Sequence, residues 1–123
     1  MPRPGDNISD HLLNFAVAVG TMVEDLPDTR IARHVASQFV RCGTAPAFYY
    51  AEARASETRK DFIHKLAICR KELQESNVCP GLIKRASLIP PERTSALVGE
   101  CWELRRIIGK SISTAKRRMK DQL

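Results

Sequence analysis

Seven residues near the C-terminus, Leu97, Cys101, Leu104, Ile108, Ser111, Ala115 and Met119, recur at intervals of four, three, four, three, four and four. That rhythm is the period of one α-helical face. A strand alternates every two residues and cannot collect such a set on one side. A long helix with a single apolar stripe must bury it against another element. The rest of the chain offers further stripes of the same kind and no convincing strand, so the partners are expected to be helices.

Three more helices are readable. The first is expected from about Ile8 to Glu24, with Ser9 as N-cap and Leu12, Phe15, Ala16, Val19 and Val23 on one face. Pro27 then pushes Leu26 out of helical geometry. The second is expected to start near Asp28 or Thr29, with Ile31, Val35, Phe39 and Val40 as its stripe. Pro46 cannot donate to the carbonyl of Cys42, which predicts a kink near Gly43 and continuation to about Ala53. The third is expected from Ser56, with Phe62, Leu66, Cys69 and Leu73 as a seam that Ile63 and Ala67 widen. Around Asn77-Val78-Cys79-Pro80-Gly81 it must kink or stop, and Leu82 to Leu88 can form another short helical stretch. Pro90-Pro91-Glu92 opens the fourth helix, where proline suits the first turn. Short connections imply antiparallel neighbours. The expected fold is an all-α, up-down-up-down four-helix bundle over residues 8–119, with residues 1–7 disordered or extended and 120–123 a tail.

At 123 residues the chain fits one domain that needs no metal or disulfide staple. Cys42, Cys69, Cys79 and Cys101 form no CxxC pair and are expected to be reduced thiols, Cys69 and Cys101 as small core residues. No apolar run approaches the roughly 20 residues of a membrane helix. The opening residues, Met1 to Asp6, are not expected to be a signal peptide, and a cytoplasmic location is expected. Charge is uneven. Residues 1–53 hold four Lys/Arg and six Asp/Glu, a balance of −2, while residues 54–123 hold sixteen and eight, a balance of +8. A basic half attracts nucleic acid or acidic partners, or is a solvated helix surface.

No enzyme is expected. His11, His34 and His64 fall on three different helices, and no HExxH, GxSxG or Walker-type glycine loop is present. No glutamate has a histidine three residues later, so a di-iron bundle site is absent. No catalytic residue, metal, cofactor or small-molecule substrate is expected. A hairpin turning near Ala53 to Ser56 places Glu52 near Arg59 or Lys60, and Arg41 near Glu72. Arg41, Glu52, Arg59 and Glu72 are therefore expected to form a polar cluster, with the Arg41–Glu72 pair buried and holding the two helices in register. Arg105, Arg106, Lys110, Lys116, Arg117, Arg118 and Lys120 crowd the last helix as a candidate nucleic-acid surface, joined by Arg59, Lys60, Lys65 and Arg70. Trp102, Tyr49 and Tyr50 are the plausible stacking groups. Val98, Trp102, Ile107 and Ile112 widen the stripe of the last helix and suggest an oligomer interface.

The segments Arg41-Cys42-Gly43-Thr44-Ala45-Pro46, Tyr50-Ala51-Glu52-Ala53, Ser56-Glu57-Thr58-Arg59, Asp61 to Leu66 and Lys71-Glu72-Leu73 carry a resemblance. They resemble a bacterial four-helix bundle family encoded in intervening sequences of large-subunit (23S) ribosomal RNA genes. The accessory variability protein of diversity-generating retroelements is similar in fold. Two departures are visible: Tyr49 stands where the family usually has Asn, and Pro80-Gly81 interrupts a third helix that relatives keep continuous. The resemblance implies a ring-like homopentamer without catalytic activity, and the retroelement relatives suggest binding of nucleic acid, RNA or DNA, and of a reverse transcriptase. The expected function is thus a non-enzymatic homo-oligomeric scaffold that binds nucleic acid through its basic surface. The alternative is a protein-interaction adaptor.

Overall fold

The structure, a computed structural model, describes residues 2–122. Among these residues there are five helices: α1 Asp6–Glu24, α2 Arg30–Arg54, α3 Arg59–Ser76, α4 Val78–Arg85 and α5 Glu92–Asp121. The long helices pack in the order α1–α2–α3–α5 with α5 closing on α1. Paired residues run in opposite order along each neighbouring pair. Arg41, Pro46 and Glu52 of α2 meet Glu72, Cys69 and Lys65 of α3. Asp25, just past α1, and His11 of α1 meet Arg93 and Glu100 of α5. The molecule is a four-helix bundle with α4 as a short segment between α3 and α5. None of its described helices is long and apolar enough to cross a membrane.

The rhythm of the last helix translates into burial with one shift. Thr94, Leu97, Cys101, Leu104, Ile108, Ile112 and Ala115 of α5 are buried, while Ser111 is half-buried and Met119 exposed. An α-helix drifts against a 3.5-residue repeat, so past Ile108 the inward position passes from 111 to 112. On α2 the inner face is smaller than its large residues suggest. Ala32, Cys42, Gly43, Pro46 and Ala53 are buried alongside Val35, Phe39 and Tyr50, whereas Ile31 and Val40 are exposed. A Cβ at Gly43 would stand 2.9 Å from both γ-methyls of Val19, so glycine is what lets α1 and α2 approach here. On α3, Leu66, Cys69 and Leu73 are buried as expected, Ile63 is half-buried and Ala67 is exposed.

Helix ends differ from expectation where distant groups intervene. α1 begins at Asp6 rather than Ile8, and Ser9 is not its cap. Gly5 occupies the N-cap with φ 92°, a left-handed geometry that suits glycine. The Tyr50 hydroxyl donates to the Gly5 carbonyl at 3.2 Å, and Arg54 donates to the Pro4 carbonyl at 3.1 Å and to Asp6 at 2.7 Å. Residues 4–6 are therefore pinned to the end of α2 rather than disordered. Thr29 caps α2 by accepting from the Ala32 amide. α3 begins at Arg59, not Ser56. Thr58 caps it by accepting from the Asp61 amide, while the Ser56 hydroxyl donates to the Glu52 carbonyl that ends α2. At the other terminus α5 includes Lys120, which was expected in the tail.

The prolines show where freed backbone groups go. α2 runs through Pro46 to Arg54. The Cys42 carbonyl, which lacks an amide partner at position 46, accepts from the Ser76 hydroxyl at 2.9 Å. Pro80 likewise cannot donate to the Ser76 carbonyl, and α3 ends there. After Asn77 the chain resumes as α4, earlier than the expected stretch from Leu82 to Leu88.

Candidate nucleic-acid interface

Arg106, Lys110 and Arg118 of α5 lie at spacings of four and eight, which brings them to one side of the helix. Arg59 of α3 joins them around a groove of about 460 Å³. Its walls include the apolar side chains of Ile8, Phe62, Ile107 and Ala115 and the hydroxyls of Ser111 and Thr114. No carboxylate lines it, so four cations act on the same space. One of them has a carboxylate next door: Arg106 donates to Glu103 at 2.6 Å. That bond holds the Glu103 carboxyl below its ordinary range and raises Arg106. Both side chains are largely exposed, and an exposed pair of this kind exchanges readily for a phosphate.

A second depression lies beside the first and shares Arg106. It is lined by Arg70, Gln74, Trp102, Glu103 and Arg105. The Arg105 guanidinium lies over the Trp102 ring, 4.2 Å from its centroid, and Trp102 is 57 % exposed. The positive face thus runs along α5 from Trp102 to Arg118, roughly 24 Å at the helical rise. An accessible aromatic ring at one end and clustered cations at the other supply the two contacts that single-stranded nucleic acid uses.

The candidate residues sort unevenly. Arg106, Lys110 and Arg118 are brought together in the groove, Arg105 lines the neighbouring depression, and Lys116, Arg117 and Lys120 are exposed beyond both. Arg59 leaves the expected polar cluster and stands in the groove. Glu52 faces Lys65 at 4.0 Å instead of Arg59 or Lys60. Arg41 does meet Glu72, at 3.0 Å, and also Glu75 at 2.7 Å. The expectation of a buried pair is corrected: the Arg41 side chain is 54 % exposed, because the inner face of α2 falls on Phe39 and Cys42 to either side of it. The two carboxylates raise the Arg41 pKa, led by the hydrogen bond to Glu75.

The expected oligomer residues do not form one surface. Ile112 belongs to the core, Val98 and Ile107 are half-buried, and Trp102 is stacked with Arg105. The larger exposed apolar side chains lie elsewhere, as Leu13 and Val17 on α1 and Val40 and Phe48 on α2, with Phe48 71 % exposed. Their signal was present in the sequence as spacings of four and eight lying off the core stripes of these helices.

Three comparisons bear on this geometry. The family model for the 23S rRNA-intervening sequence protein matches residues 7–110. A crystal structure of a protein with unknown function from the S23 ribosomal protein family of Bacteroides thetaiotaomicron VPI-5482 is similar, with a TM-score of 0.80 and 27 % identity. The similarity covers 85 % of this chain and 97 % of that one. Among curated proteins, none matches.

Proposed function

This chain belongs to the 23S rRNA-intervening sequence protein family, and on that premise we propose that it is a non-enzymatic, homo-oligomeric scaffold that holds nucleic acid by its phosphate backbone in the groove between α3 and α5. The observation that carries this reading is the convergence of Arg59, Arg106, Lys110 and Arg118 on a space lined by no carboxylate. Phosphates need cations within reach and no particular base, so binding should be steep in salt and weak in sequence preference. Titration of structured RNA and duplex DNA across a salt series tests it. In the Arg59→Ala, Arg118→Ala double variant, the slope of log K against log salt should become shallower by about 2. Replacing Arg117 and Lys120, which lie off the groove, should change it less. A parent protein that binds neither polymer at low salt removes the reading.

Self-association is the other half of the proposal. The resemblance implies a homopentamer, and Leu13, Val17, Val40 and Phe48 are large exposed apolar side chains on α1 and α2, the helices that supply none of the groove's cations. Phe48→Asp is expected to dissociate the assembly in light scattering while the helical signal is kept. A parent that is monomeric at micromolar concentration sinks the scaffold. The same apolar face would then favour the second reading, an adaptor for a different protein.

A further inference from the structure

Two of the four cysteines share a cavity and two do not share their situation. Cys42 of α2 and Cys79 in the first turn of α4 both line a cavity of about 300 Å³ that His34, Arg41 and Glu75 also border. The two thiols act on each other across it, each being the leading influence on the other's ionisation, while the Cys42 S–H lies 3.9 Å from the Phe39 carbonyl. Cys69 and Cys101 do not line that cavity, and they donate to the backbone carbonyls of Pro46 and Leu73. We propose that Cys42 and Cys79 are a peroxide-sensitive dithiol, a modification site that closes reversibly into a disulfide joining α2 to α4.

The chemistry balances with hydrogen peroxide as the oxidant. Cys42 gives up its proton, and its sulfur attacks one peroxide oxygen. An S–O bond forms, the O–O bond breaks, and the other oxygen leaves as water. The Cys79 sulfur then attacks the sulfenic sulfur of Cys42. The S–S bond forms, the S–O bond breaks, and the second oxygen leaves as water with the Cys79 proton. Two thiols and one peroxide become one disulfide and two waters, and the sulfurs supply both electrons.

Several features make the pair suited to this. The thiolate, not the thiol, is the nucleophile. Cys42 is drawn toward the thiolate chiefly by Cys79 and further by the Arg41 guanidinium, with burial and Glu72 opposing. Cys79 is raised in turn, chiefly by Cys42, a hold that is released once Cys42 has become a sulfenic acid, so Cys42 is the attacker and Cys79 the resolver. Burial alone pushes Cys69 up to about 12 and is the leading cause of the same rise to about 12 at Cys101, leaving both poor nucleophiles. Both thiols of the pair are nearly inaccessible from outside, so a small oxidant reaches them where a bulky one does not.

The test is dilute hydrogen peroxide on the folded full chain, followed by denaturation, maleimide blocking and peptide mapping by mass spectrometry. The expected product is a peptide pair linked through Cys42 and Cys79, reversed by dithiothreitol, with Cys69 and Cys101 recovered as maleimide adducts. Cys79→Ser should leave a sulfenic acid on Cys42 that dimedone traps, and Cys42→Ser should abolish both products. If the serine variants fail to fold, the linkage map of the parent decides alone. Oxidation of all four cysteines at one rate, or a persistent Cys42 sulfenic acid in the parent with no cross-link, would overturn the proposal.

Discussion

Phe39→Ala is expected to destabilise the bundle by about 3–5 kcal/mol, the usual range for emptying a buried aromatic site. Phe39 is 0 % exposed in the middle of α2 and is among the largest fully buried side chains. The loss is large against the about 5–15 kcal/mol that holds a domain of this kind together. The midpoint of thermal unfolding should fall by roughly 12–20 °C. Phe48, nine residues later on the same helix, is the internal contrast. Phe48→Ala should change the stability of the single chain by only about 0.5 kcal/mol. Any larger effect should depend on protein concentration, because it would come from assembly. Urea melts at two concentrations separate the cases. Equal, concentration-independent losses for the two variants would show that the inner face of α2 has been assigned wrongly.

Ser76→Ala is expected to cost about 1–3 kcal/mol, because it leaves the Cys42 carbonyl buried without a donor. The size of that cost depends on a residue thirty positions away. Pro46 is the reason the carbonyl needs the serine at all. In a Pro46→Ala background, residue 46 regains an amide that can donate to the Cys42 carbonyl. Ser76→Ala should then cost less than about 1 kcal/mol. The double-mutant cycle should therefore show a coupling of about 1 kcal/mol or more. The bond from Ser76 to the Glu72 carbonyl does not explain such a coupling, since it stays within α3. Additive effects in urea melts would mean that the hydroxyl does not replace the missing amide.

Much of the candidate site was legible along the chain, but not its membership. Arg106, Lys110 and Arg118 share a side of α5 by spacing alone, and helical geometry delivers them together. Arg59 was assigned to a polar cluster because the turn was placed two to three residues early. Thr58, not Ser56, caps α3, and the difference turns Arg59 from Glu52 toward α5. The Arg41–Glu72 pair follows from the sum of positions across a hairpin, and it survives the shift of the turn because Glu72 and Glu75, one helical turn apart, are both within reach of Arg41. Its exposure was not found, since it depends on the rotation of α2 about its own axis.

The sequence by itself determined the helices, their order, the antiparallel pairing of α2 with α3 and most of the inner faces. These follow from local rules: a 3.6-residue period, prolines that remove donors, and threonines that cap. The tertiary structure alone decided which large apolar residues are left outside. Phe48 and Phe39 are the same residue type in one helix, and only the close approach of α1 at Gly43 and of α3 at Ser76 fixes which face is in. It also decided that α1 starts at Asp6, because the side chains that tie Gly5 and Asp6 down, Tyr50 and Arg54, stand more than forty residues away. The sharing of one cavity by Cys42 and Cys79 belongs to the same class. Thirty-seven positions separate them in the sequence, and their meeting depends on how α4 folds back against α2 after Pro80 ends the helix before it.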